Sequence, residues 1–167
     1  LLERPTIDID TDNVGTIISG KTVMVTGAAG SIGSEIVRQL TTFKPQTIVL
    51  FEMAESPLHD LTVDLRNTYP DQQFVPVIAD VRNLDMVKEV FEEYHPSIVF
   101  HAAAYKHVPL MEDFPAQAIL ANVLGTKNVA DMAIQYKTKR FLMVSTDKAV
   151  NPTNVMGASK RIAEIYV

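Results

Sequence analysis

Three glycines spaced three residues apart, Gly27, Gly30 and Gly33, constrain this chain more than any other feature. They follow a short, β-branched apolar run at residues 22–26. After them, Ile32, Ile36, Val37, Leu40 and Phe43 recur at a helical period. The spacing predicts a buried strand, a tight turn and a helix. Gly27 permits the sharp turn off the strand, Gly30 lets backbone N–H groups approach a pyrophosphate, and Gly33 lets the helix lie close to the sheet. The helix N-terminus then offers unpaired N–H groups and partial positive charge to phosphates. A glycine triad alone is weak evidence, but a strand before it and a helix after it favour dinucleotide binding over a merely structural turn.

The same alternation continues along the chain. Further strands are expected at residues 47–51, 74–78, 98–102 and 140–145. Helices are expected at 57–69, 84–94 and 114–136, and again from 155. Pro76 inside the third strand places that strand toward a sheet edge. Short crossovers make this an α/β chain with a doubly wound parallel sheet in the order 3-2-1-4-5. A dinucleotide should then lie across the carboxyl ends of strands one and four. Residues 1–19 read as a linker or peripheral arm, and 20–167 as the dinucleotide-binding domain. Asp8, Asp10 and Asp12 lack the central Gly and closing Glu of an EF-hand, so they are not a calcium loop.

The 167 residues suffice for one domain with a sizeable core. A net charge of −5 without a Lys/Arg cluster disfavours nucleic acid as a partner. With no cysteine there is neither a disulfide scaffold nor a thiolate metal site, no metal is expected, and a reducing, cytoplasmic setting is the default. No apolar run reaches the ~20 residues that span a bilayer.

Candidate site residues fall at strand ends. Glu52 lies about 20 residues beyond the glycines, where an acid accepts hydrogen bonds from the adenosine ribose and repels a 2′-phosphate, so NAD is favoured over NADP; Glu55 is a nearby competitor. Asp80, followed by Val81, has two readings, adenine recognition or a helix cap. Ala102, Ala103 and Ala104 are small where backbone must lie beside a cofactor. His101, in an apolar strand, reads as a hydrogen-bonded core histidine. Lys106 and His107 face either a substrate phosphate or solvent, and Asn122 either pairs backbone near the fourth strand or positions a water. At the fifth strand's end, Asp147 and Lys148 put an acid beside an amine, with Lys160 on the next helix. Such a pair suits elimination, although a salt-bridged turn is the plain alternative.

The segment TGAAGSIG at 26–33 resembles the cofactor loop of extended short-chain dehydrogenases/reductases. HAAAYKHVP at 101–109 and STDKAVNPTNVMGASK at 145–160 are similar to a polysaccharide-biosynthesis branch that contains UDP-N-acetylglucosamine 4,6-dehydratases. The likeness covers roughly residues 15–167. It implies an NAD-binding Rossmann fold that ends before the substrate lobe. It adds Ala29, Ser31, Ile32, Asn122 and Lys160 to the cofactor contacts, and gives Lys106, His107 and Thr146 to a UDP-sugar. Thr146, Asp147, Lys148 and Lys160 become the catalytic set, and the product a UDP-4-keto-6-deoxy sugar for bacterial glycans. Many such proteins carry an amino-terminal membrane region, which implies a parent at the cytoplasmic face of the inner membrane; a homo-oligomer is a separate expectation. One position departs from the wider superfamily: Met156 stands where a catalytic tyrosine is usual, with Lys160 retained. The long, membrane-anchored members share that methionine. A 4-epimerase and a non-catalytic NAD-binding module are the competing readings.

Overall fold

A computed structural model describes residues 11–167, with side chains from residue 13. Asp8 and Asp10 lie outside the described residues, as does the side chain of Asp12. Five strands, β1 (Thr22–Thr26), β2 (Thr47–Glu52), β3 (Phe74–Ile78), β4 (Ile98–His101) and β5 (Arg140–Met143), form one parallel sheet in the order β3-β2-β1-β4-β5. Fold class and strand order therefore agree with the expectation from the sequence. Where residues 11–19 were read as arm or linker, α1 (Thr11–Ile18) instead packs Ile18, Val14 and Ile17 onto the core.

Alternation along the strands sorts the core into two layers. Val23, Val25, Ile48, Leu50, Phe74 and Ile98 face α1, α2 (Ser31–Thr41) and α3 (Glu55–Thr68), and meet Val37, Leu40, Leu58, Leu61 and Leu65 there. Met24, Val49, Phe51 and Val99 face α4 (Leu84–Tyr94) and a later helix, against Val87, Val90, Phe91, Val129 and Met132. Helices on both faces explain why β1 and β2 are almost continuously buried. β3 is an edge strand, as Pro76 suggests. Ala79 donates its N–H to Glu52 O, so the period of two turns the nitrogen of Pro76 outward, where the missing donor breaks no ladder bond.

The expected helix at 114–136 is more elaborate. A separate α5 (Val108–Asp113) precedes it, with Pro109 in the first turn, where its absent N–H costs nothing. The long helix then runs as α6 (Pro115–Ala118), a π-turn (Ile119–Leu124) and α7 (Gly125–Gln135). A 3-10 turn (Asp147–Ala149) leads from β5 to α8 (Val155–Tyr166). Among the described residues no helix is long and apolar enough to cross a membrane.

Candidate cofactor and active site

The carboxyl ends of β1, β2 and β4 open on a cleft whose geometry follows from the glycines. Gly27 has φ +65°, and a Cβ on it would lie 2.7 Å from Ala103 N. It therefore makes the turn and also admits the chain leaving β4. A Cβ on Gly33 would lie 2.0 Å from Gly27 O, so α2 can approach the loop only because the side chain is absent. Gly30 is the N-cap of α2 and offers no side-chain cap, which leaves the first N–H groups free for an anion.

One arm of the cleft is lined by Gly27, Gly30, Glu52, Asp80, Val81 and Ala102–Ala104. Glu52 is anchored here: Oε1 accepts from Met53 N at 2.9 Å and Ala54 N at 3.1 Å, and Oε2 from Ala29 N at 3.3 Å. Glu52 itself lines this arm of the cleft. Glu55 lies exposed in the first turn of α3. Asp80 is not the cap of α4. Asn83 takes that role and accepts from Asp85 N and Met86 N. Asp80 is instead clasped by Arg82, with Nη2 at 2.6 Å from Oδ2 and Nε at 2.8 Å from the same oxygen. The guanidinium hydrogen bond holds the Asp80 carboxyl below its usual range.

The second arm is lined by Ser31, Ile32, Gly33, Lys106, Val144, Ser145, Thr146, Lys148, Met156 and Lys160. Lys106 reaches across it and donates to Ser31 Oγ at 3.2 Å, beside the glycine loop. His107 lies outside this arm, in a shallow apolar hollow with Leu110, Met111 and Phe114. Lys106 borders both the hollow and the second arm, whereas His107 borders the hollow alone. Lys160 is buried and donates to Val144 O at 2.7 Å. Burial pushes its ammonium below the usual lysine value.

Thr146 caps the 3-10 turn, accepting from Lys148 N, and donates to Asp147 Oδ1 at 3.0 Å. Lys148 Nζ lies 3.1 Å from the same oxygen. That hydrogen bond holds the Asp147 carboxyl below its usual range, and its side chain is 85% exposed. Thr146 and Lys148 therefore line the cleft while Asp147 does not. The turn is seated on α8: a Cβ on Gly157 would fall 2.2 Å from Lys148 O, and Asn154 caps the helix by accepting from Gly157 N at 2.7 Å.

Asn122, expected to touch the cofactor, does not reach the cleft. It is fully buried; Oδ1 accepts from Tyr105 N at 2.8 Å, and Nδ2 donates to Tyr105 O at 2.9 Å and Ser159 Oγ at 2.9 Å. Of its two sequence readings, backbone pairing is the one the structure shows. Met156 is buried against Met111 and Ala118 at the cleft wall. Its thioether cannot exchange a proton. Arg82, Met53, Tyr105, Val144 and Ser145 also line the cleft without having been singled out. Their position one to four residues past strand ends is the signal that would have found them. Among the described residues no cluster of His, Asp and Glu has metal-binding geometry.

The sequence matches a family described as "Polysaccharide biosynthesis protein" over residues 23–167. It is 51% identical over 168 residues to the capsular polysaccharide biosynthesis protein CapD of Staphylococcus aureus, covering 100% of this chain and 28% of that protein. Among solved structures it is similar to Pen from Bacillus thuringiensis, with a TM-score of 0.82 and 34% identity over 89% of this chain and 46% of that one. It is also similar to the UDP-glucose 4-epimerase of Thermus thermophilus in complex with NAD, with a TM-score of 0.72 and 26% identity over 87% of this chain and 49% of that one. The chain thus spans less than half the length of each of these proteins.

Proposed function

The chain belongs to the polysaccharide biosynthesis protein family, and on that premise we propose that it is the NAD-binding part of a nucleotide-sugar 4,6-dehydratase acting on UDP-N-acetylglucosamine. One observation carries the reading: Thr146, Lys148 and Lys160 open on the same cleft as the glycine loop, and Asp147 is paired to Lys148 on the turn beside it. An acid–amine pair beside a hydride acceptor is what elimination needs and what simple epimerisation does not. The residues fit NAD. The glycine cradle admits a pyrophosphate, α2 offers free N–H groups, and Glu52 stands where a 2′-phosphate would be repelled. NAD, when bound, supplies a reversible hydride acceptor, so oxidation at C4 and reduction at C6 leave no net redox change.

The chain's own groups move the protons. Thr146, with Met156 where a tyrosine would otherwise stand, relays the proton of the C4 hydroxyl through a water to solvent. Lys148 removes the C5 proton, which a C4 ketone makes acidic, and C5 takes up a proton again once C6 is reduced. Asp147, which faces solvent beside the cleft here, turns in to deliver a proton to the departing C6 hydroxyl, which leaves as water. The resting pair is carboxylate and ammonium, the reverse of the working arrangement. The two forms differ by one proton transfer along the 3.1 Å hydrogen bond between them. Covering the pair with substrate disfavours the charged form of both partners and so favours the working one. Lys160 holds the nicotinamide ribose. Lys106 contributes charge at the diphosphates, while His107, in the adjoining hollow that Lys106 also borders, is assigned to a more distant part of the UDP-sugar. The whole protein acts as a homo-oligomer at the cytoplasmic face of the bacterial inner membrane.

A 4-epimerase is the second reading, favoured by the likeness to the Thermus thermophilus enzyme. Buried Met156 in place of a proton-exchanging tyrosine weighs against it. The test uses the full-length protein with UDP-N-acetylglucosamine and catalytic NAD in deuterated water, followed by NMR. A 6-methyl, 4-keto product with deuterium at C5 is expected. A 4-epimer without a methyl signal would overturn the dehydratase reading.

A further inference from the structure

We propose that His101 is a positioning residue, fixed as the Nε2–H tautomer, at the centre of a one-directional hydrogen-bond relay that locks the floor of the cofactor cleft from both sides. His101 is 1% exposed and belongs to no catalytic step above. Its Nδ1 lies 2.7 Å from Thr26 Oγ1, and its Nε2 lies 3.0 Å from Thr126 Oγ1. The hydroxyl protons decide the rest. Thr126 Oγ1 is 2.6 Å from Asn122 O, a carbonyl that can only accept, so the single Thr126 hydroxyl proton is committed there. Thr126 therefore accepts from His101, and Nε2 carries the hydrogen. A neutral ring then leaves Nδ1 bare, and Thr26 donates to it. Thr26 Oγ1 is in turn free to accept from Ala103 N, which lies 3.3 Å away.

The opposite tautomer would set two lone pairs facing each other between Nε2 and Thr126, and would leave the Thr26 proton without an acceptor in this network. A charged ring is opposed by complete burial first and by the positive charge of Lys160 second. Every proton in the chain thus has one place to go.

Both ends of the relay return to the same short segment. One end pins Ala103 N through Thr26. The other fixes Asn122, whose side-chain amide grips both N and O of Tyr105. Ala104, which lines both arms of the cleft, is held between two pinned residues. The circuit spans the end of β1, the end of β4 and the π-turn, and it continues through Ser159 into α8, the helix of Lys160. This role deepens the cofactor reading and rests on it for its effect on binding.

The test has two arms. In the first, nitrogen-15 NMR of the histidine rings reports which nitrogen of His101 carries the proton. Nε2 protonated and Nδ1 bare is expected, with and without NAD. An Nδ1–H ring or an averaged signal would overturn the relay. In the second, NAD affinity is compared in Thr126→Val and Thr126→Ser at a temperature where both are folded. The valine variant should bind at least about tenfold more weakly, while serine, which keeps the hydroxyl, stays near the parent. Equal binding by the valine variant would refute the positioning role. A parent protein that binds no NAD would count against the cofactor reading, and the tautomer would still decide the relay.

Discussion

Replacing Gly157 with alanine tests whether the spacing between α8 and the acid–amine turn governs turnover. The added Cβ would sit 2.2 Å from Lys148 O, whereas ordinary contact begins at 3.4 Å. The helix or the turn must therefore retreat by about 1.2 Å. Overpacking of this kind costs about 1–3 kcal/mol. Alanine in a helix interior returns about 1 kcal/mol relative to glycine. The net loss of stability is then about 0–2 kcal/mol, a melting shift of no more than several degrees. The effect on chemistry is larger, because a displacement of about 1 Å between reacting groups costs on the order of a hundredfold in rate. The assay compares kcat for the full-length protein, NAD affinity and thermal unfolding. The expected result is a turnover deficit far exceeding the loss of NAD affinity, since the glycine loop and Glu52 are untouched. Full turnover with an unchanged melting temperature would refute the argument, because the carbonyl would then have moved without consequence. A loss confined to NAD binding would relocate the effect to Lys160, one helical turn away.

Three further outcomes are expected. Glu52→Gln puts an N–H donor where two backbone donors or Ala29 N now meet carboxylate oxygens, and should weaken NAD binding about tenfold in a titration by fluorescence; unchanged affinity would show that the acid is not the ribose partner. Lys106→Met should weaken NAD binding and flatten its dependence on salt, because the cation beside Ser31 is removed; an unaltered salt slope would return Lys106 to the substrate. Between pH 6.5 and 3 the unfolded chain protonates a histidine that the folded protein keeps neutral at the His101 position. The unfolded state binds more protons there, so stability should fall with pH by up to about 1.4 kcal/mol per unit, and His101→Gln should lose that component in urea melts at pH 7 and 5.

The sheet order and the two core layers were legible because a buried parallel strand leaves an unmistakable apolar run, as at residues 47–51. Pro76 was legible for the same reason, since only an edge accommodates it. What stayed hidden depended on phase and pairing. The π-turn has no marker in the sequence, and it rotates Asn122 into the protein rather than toward the cleft. Asp80 looked like a cap because a helix follows it, yet Asn83 is nearer to that helix and Arg82 claims the carboxylate. Asp147 and Lys148 form the salt-bridged turn that stood as the plain alternative, and adjacent residues on a tight turn project in different directions. Only one of them faces the cleft. Thr26 and Thr126, a hundred residues apart in the chain, meet through His101 only once the sheet has formed.

Pro76 also gives the sheet a direction of growth. The outward-facing donors of β3 belong to Phe74, Pro76 and Ile78, and the middle one is missing. A strand arriving at that margin would meet a broken template, so misassembly through β3 is discouraged. At the other margin, the residues of β5 are all non-proline and carry a full set of donors. Any strand added during folding, whether from the same polypeptide or another, is steered to one side of the molecule, the side that carries the Thr146–Lys148 turn.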